Sequence, residues 1–132
     1  MTEATDTARK LFKVLIIEDE GDICYLLETV LKKKNYHTEH VNSLAQAAIF
    51  LKEEMPDLIF LDNHLPDGLG MNYIETIKED YPSIKIIMIT AHDAASDKKK
   101  ALNRGVDIFL SKPFTKDQVY HSVDQLLPAA LD

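Results

Sequence analysis

Three segments of this chain are apolar almost without a break: FKVLII (12–17), DLIFL (57–61) and IKIIMI (84–89). A strand with one face in water alternates apolar and polar residues. A short, continuous apolar run belongs instead to a strand covered on both faces. Such strands occur in parallel sheets, where each crossover is long enough to hold a helix. The intervals fit that rule. Ile23, Leu26, Leu27, Val30 and Leu31 recur at helical spacing within GDICYLLETVLKKK. Leu44, Ala47, Ala48 and Leu51 form a second stripe, Met71, Ile74, Ile77 and Tyr81 a third, and Val119, Val123, Leu126 and Leu127 a last one. Residues 94–104 make a weaker helix, with little beyond Ala94, Ala101 and Leu102 to bury.

Two further strands complete the alternation. YHTEHV (36–41) carries polar groups on both faces, as an edge strand does, and DIFL (107–110) follows the weak helix. Ser43 with Gln46 and Thr115 with Gln118 have the spacing of capping boxes. Gly105 is placed to end the fourth helix and Pro128 the fifth. Strand and helix thus alternate five times with short links. The expectation is one α/β domain over residues 11–128, a doubly wound five-stranded parallel sheet with helices on both faces. Residues 1–10 have few groups to bury and are expected to be a disordered tail.

Charge and composition narrow the setting. No run approaches the roughly 18 apolar residues of a membrane helix, and MTEATDTARK lacks the apolar core of a signal peptide. The one cysteine, Cys24, excludes an internal disulfide and fits a reducing compartment. A formal charge of -7 argues against direct nucleic-acid binding, which needs a basic face. A cytoplasmic protein with no membrane partner is expected.

In an open parallel sheet, ligands bind beyond the carboxyl ends of the strands. Glu18 and Asp19 stand after the first strand, Asp62 after the third, Thr90 after the fourth, and Ser111, Lys112 and Pro113 after the fifth. Three acids brought together repel one another unless a cation joins them. A small set of oxygen ligands suits Mg²⁺, which keeps several waters and is often completed by substrate phosphate. A lysine beside it supplies a positive point charge for a phosphoryl oxygen. A carboxylate in that setting can act as a nucleophile and form an aspartyl phosphate. This accounts for Asp62 directly after an apolar run, where an unpaired carboxylate is costly.

With these residues in view, the chain closely resembles the receiver domain of two-component response regulators, from about Phe12 to Leu127. The resemblance rests on the acid pair in IIEDE, the run DLIFLDNHLPDG, the segment MITAHD and the ending GVDIFLSKPF. It implies the flavodoxin-like strand order 2-1-3-4-5. It implies that a histidine kinase or histidine phosphotransfer protein phosphorylates Asp62. Mg²⁺ would be bound by Asp19 and Asp62, by Glu18 through water, and by the backbone carbonyl of His64. Lys112 would pair with Asp62 and then with the phosphoryl group, which Thr90 would also bond. Phe109 would swing inward and reshape the face of helix four, strand five and helix five for an output partner. The Lys112–Pro113 peptide would be cis. The protein would be a phosphorylation-controlled switch rather than an enzyme, with self-catalysed phosphotransfer and dephosphorylation.

Several positions depart from the commonest family pattern. Glu18 replaces an aspartate, Phe109 a tyrosine, and PDGLG lacks the usual acid before its second glycine. His64 is uncommon two residues after the acceptor; its side chain is expected at the mouth of the site. Two organisations are compatible with the family: a stand-alone switch, or the receiver of a longer hybrid kinase or transcription factor. A third reading, an aspartate-nucleophile phosphatase, needs a second acid where His64 stands. The remaining features have plain readings: Cys24 as packing, Lys32–Lys34 and Lys98–Lys100 as solvated helix faces, and His37 and His40 as a solvated edge.

Overall fold

A computed structural model describes residues 11–91 and 95–127. The tail 1–10, Ala94 and Pro128 lie outside them. Five parallel strands form one sheet: β1 (Lys13–Ile17), β2 (His37–Val41), β3 (Leu58–Asp62), β4 (Lys85–Thr90) and β5 (Ile108–Ser111). Their order is β2-β1-β3-β4-β5. Five α-helices connect or follow them: α1 (Gly21–Lys33), α2 (Leu44–Glu53), α3 (Ile74–Asp80), α4 (Ala95–Asn103) and α5 (Lys116–Leu126). The third helical stripe is shorter as α-helix than its apolar spacing predicts, because Gly70–Tyr73 forms a 3₁₀ turn ahead of α3. Among the described residues, no helix is long and apolar enough to cross a membrane.

The unbroken apolar runs are explained by what lies above and below them. Successive strand side chains point to opposite faces. Val14 and Ile16, Leu58 and Phe60, and Ile87 and Ile89 pack under α1 and α5, against Leu27, Leu31, Val119 and Val123. Their neighbours Leu15 and Ile17, Ile59 and Leu61, and Ile86 and Met88 pack under α2, α3 and α4, against Ala47, Leu51, Ile74, Ile77 and Ala101. Each such side chain removed from water contributes about 1.5–3 kcal/mol before entropy is charged against it. Among the described residues β2 pairs only with β1, and its residues are exposed or half-buried, as an edge requires.

The caps hold the helices in register with the sheet. Thr115 and Gln118 form both arms of a capping box. At α2 the box is displaced by one residue: Ser43 accepts the Gln46 amide, but the Gln46 side chain accepts from Asn42 rather than from Ser43. A second cap of α2 comes from across the fold. Asp67, in the tight hairpin His64–Leu65/Gly68–Leu69, accepts the Leu44 and Ala45 amides, both at 2.9 Å. Two otherwise unpaired first-turn donors are thereby satisfied by an anion at the positive end of the helix. Gly105 follows α4 with φ 116, a conformation that favours glycine. Gly70 is needed for a different reason, since a Cβ there would collide with the carbonyl oxygen of Asp62.

Two outcomes are expected. The amides of Leu44 and Ala45 hold the exposed Asp67 carboxyl below its ordinary pKa. A lowered folded-state pKa contributes stability above the unfolded value, about 3.9, and that contribution is lost as pH falls through the folded value. Asp67→Asn is therefore expected to lower the Tm by a few degrees at pH 7, with the gap closing below about pH 4; thermal melts across pH measure this. The second outcome concerns α4, in which Ala101 alone is buried. Elements with few buried apolar contacts open most readily. Amide exchange followed by mass spectrometry should find α4 the least protected helix and α1 well protected.

Candidate functional site

Four strands end on one edge of the sheet, and their last or following residues meet there. Glu18 directly follows β1 and is fully buried. Its amide donates to the Val41 carbonyl on β2, and its Oε2 accepts the Glu20 amide at 3.0 Å. Asp19, next in the chain, is exposed. Asp62 is the last residue of β3 and only 3% exposed. Thr90 closes β4 and is buried, one position beyond Ile89, the β4 partner of Asp62. Lys112 follows β5; its amide donates to the Thr90 carbonyl at 2.8 Å, and its bond to Pro113 is cis. The backbone register thus brings a lysine from the fifth strand to acids from the first and third.

The Lys112 ammonium lies 3.4 Å from Asp62 Oδ1, 3.1 Å from Glu18 Oε1 and 2.7 Å from Glu20 Oε1. Burial alone would lower its pKa; the bond to Glu20 and the charges of Asp62 and Glu18 outweigh that and raise it. Burial pushes the Asp62 carboxyl above its ordinary range, against the pull of Lys112 and of the His64 amide that bonds it. Glu18 is raised as well, by burial first, with the Glu20 amide opposing and the Asp62 charge adding to the rise.

Oxygen atoms of Glu18, Asp19 and Asp62 all come within 4.8 Å of one another. Glu18 Oε1 is buried and has no hydrogen bond of good geometry, although the ammonium is near. Three crowded carboxylates, with a single ammonium at two of them, fit a small hard cation. His64 holds an exposed side chain beside a groove of about 270 Å³, whose lining includes Asn72, Lys100 and Arg104. Phe109 is half-buried on β5 and packs against the core face that holds α4.

Two residues of the site carry no sequence signal of their own. Glu20 reads as one more acid at the start of a helix. His40 reads as part of a solvated edge, yet its Nε2 lies 2.8 Å from the Glu18 carbonyl oxygen and 2.9 Å from Cys24 Sγ. That reading is corrected for His40: an exposed side chain reaches inward to the turn that carries the acids. His37 instead pairs with Glu39 at 2.9 Å, at the surface. Cys24 lies on the buried face of α1, and burial above all pushes its thiol up to about 12. Lys34 is not purely solvated either, since its ammonium sits 5.0 Å above the Tyr120 ring.

Comparison with known proteins places this arrangement. Residues 14–124 match the response regulator receiver domain family. The KDP operon transcriptional regulatory protein KdpE of Escherichia coli K12 is 37% identical over 101 residues, 76% of this chain and 44% of that protein. The response regulator protein PilR of Pseudomonas aeruginosa is 36% identical over 101 residues, 76% of this chain and 23% of that protein. The chain thus spans less than half the length of these curated relatives. Among solved structures, the beryllofluoride-activated NtrC4 receiver domain dimer superposes with a TM-score of 0.83 at 33% identity, covering 86% of this chain and 94% of that one. The receiver domain of a Luxo repressor protein from Vibrio parahaemolyticus gives 0.85 at 29% identity, covering 92% and 93%. The family match begins at the second residue of β1 and runs into α5, so it takes in the sheet apart from Lys13, and the acidic edge with it. This chain belongs to the receiver domains of two-component response regulators.

Proposed function

We propose that Asp62 is the phosphoacceptor of this receiver. The observation that carries the reading is a nearly buried carboxylate held at the lip of a rigid strand, 3.4 Å from a lysine ammonium and within ligand distance of two further acids. The donor is a phosphohistidine of a histidine kinase or a histidine phosphotransfer protein. A carboxylate oxygen of Asp62 attacks phosphorus, the P–N bond breaks, and its electron pair returns to the imidazole. The products are an aspartyl phosphate and free histidine. Hydrolysis of the acyl phosphate by water resets the domain.

Glu18, Asp19 and Asp62, with the His64 carbonyl, would hold Mg²⁺, which offsets charge on the transferring phosphoryl group. Lys112 follows the phosphoryl oxygens as Asp62 loses its charge. The Thr90 hydroxyl, from the adjacent strand, bonds the phosphoryl group. Phe109 couples that movement to the face made by α4, β5 and α5, which an output partner reads. α4 suits this role because so little of it is buried. Phe109 lacks a hydroxyl, so its two positions would differ by packing alone. A cytoplasmic location belongs to the proposal, since phosphohistidine donors of this class act there. The curated relatives are longer and one is named a transcriptional regulator, which favours output through a further domain as the second reading.

Wild-type protein incubated with Mg²⁺ and a small phosphodonor should carry phosphate on Asp62, and Asp62→Asn should carry none. Persistent label on the variant would overturn the assignment. Mg²⁺ should also stabilise the unphosphorylated protein, by about 2.7 kcal/mol at a hundred times its dissociation constant; thermal melts should show a weaker response in Asp62→Asn.

Glu18 gives a separate outcome. Because burial raises its pKa, ionised Glu18 costs the fold stability at neutral pH. Glu18→Gln is expected to raise the Tm of the metal-free protein by a few degrees while weakening its response to Mg²⁺. A lower Tm without metal would show that the Lys112 contact outweighs desolvation.

A further inference from the structure

Glu20 has no part in the proposed chemistry, yet it makes the shortest ion-pair contact in the site. It stands at the N-cap of α1, with extended backbone (φ -88, ψ 116), and its carbonyl accepts the Cys24 amide as an N-cap carbonyl does. Its side chain caps nothing. It turns instead to Lys112, 2.7 Å away. Of the three carboxylates around that ammonium, Glu20 is nearest and Asp62 farthest.

The exposures make this order informative. The Glu20 side chain is 62% exposed and that of Lys112 is 12% exposed. The ammonium is therefore drawn toward the rim, to the one partner that keeps its own water. The Glu20 half of the pair is weakly held, because solvent screens that carboxylate and rehydrates it when it lets go, while Lys112 keeps its two deeper acids. The Glu18 and Asp62 carboxylates sit deeper and accept the backbone amides of Glu20 and His64. When a phosphoryl group arrives on Asp62, its oxygens compete for the same ammonium, and the Glu20 contact is the one least costly to break.

We propose that Glu20 is a positioning residue: it holds Lys112 toward the rim in the resting protein and releases it when the phosphoryl group forms. It thereby sets a modest threshold against loading the site. The inference rests on the reading of Asp62 as phosphoacceptor. With most of the Glu20 side chain in solvent, the contact opposes loading by about two- to fivefold in an equilibrium constant, the range of a solvent-screened pair.

The test uses the whole chain with Mg²⁺ and beryllofluoride as the phosphoryl mimic. Glu20→Ala removes both charge and acceptor; Glu20→Gln keeps an acceptor and loses the charge. Since the side chain makes no cap, both variants should fold. Beryllofluoride affinity should rise about two- to fivefold in Glu20→Ala and less in Glu20→Gln. Asp22→Asn removes another acid from the first turn of α1 and is the control for charge alone. The second readout is the ¹⁵N resonance of the Lys112 ammonium. It should differ between wild type and Glu20→Ala in the resting protein and coincide once beryllofluoride is bound. An unchanged resting resonance, or an equal gain in affinity from Asp22→Asn, would overturn the proposal. If wild type fails to bind beryllofluoride and takes no phosphate, the Asp62 reading falls, and the resting resonance still decides whether Glu20 holds the lysine.

Discussion

One ammonium reconciles acids that the fold would otherwise be unable to bury together. Removing an ion from water costs several kcal/mol even after relaxation, and Glu18 and Asp62 are both taken almost wholly out of it. Lys112 is the cation that meets them, and it arrives from the far side of the sheet. Its place depends on the register of β3, β4 and β5, and on the bond from its own amide to the Thr90 carbonyl. The two-sided apolar core exists, in this sense, to fix strand ends. A sheet whose central strands are buried on both faces cannot slip by one residue without turning every side chain to the other layer.

The fold was readable because its signal is repeated. Unbroken runs at Val14–Ile17 and Leu58–Leu61 can only be satisfied by cover on both sides, and the helical stripes between them supply it. Most of the acidic edge was readable for a related reason: Asp62 and Thr90 are polar residues at the ends of apolar runs, where the cost of burial demands a purpose. Other contacts left no trace in the sequence. His40 bonds a backbone carbonyl, and carbonyls have no residue identity to recognise. Asp67 caps a helix that begins 23 residues earlier, through a hairpin whose position only the folded chain sets. Glu20 looks like any acid opening a helix; its meaning lies in a side chain that turns away from that helix.

Burial is distributed unevenly among the helices, in the pattern the proposed switch would need. α1 places Cys24, Leu27, Val30 and Leu31 in the core, whereas α4 places only Ala101 there. The tightly held helix stands behind the acids. The loosely held one flanks Phe109, on the face the proposed switch would use. An element that must shift cannot be anchored by many buried side chains, because each would resist the shift.

Gly70 carries a consequence for how such a chain can change over generations. The loop after β3 folds back so closely on the end of that strand that a single added carbon would strike the Asp62 carbonyl. Most loops tolerate substitution and so supply raw material for new specificities. Here the path is closed at one step: the loop cannot drift at this residue without displacing the backbone carbonyl of Asp62, eight positions upstream. Variation must therefore enter elsewhere along the rim, at positions such as His64 or Glu20, whose exposed side chains can differ while Asp62 stays still.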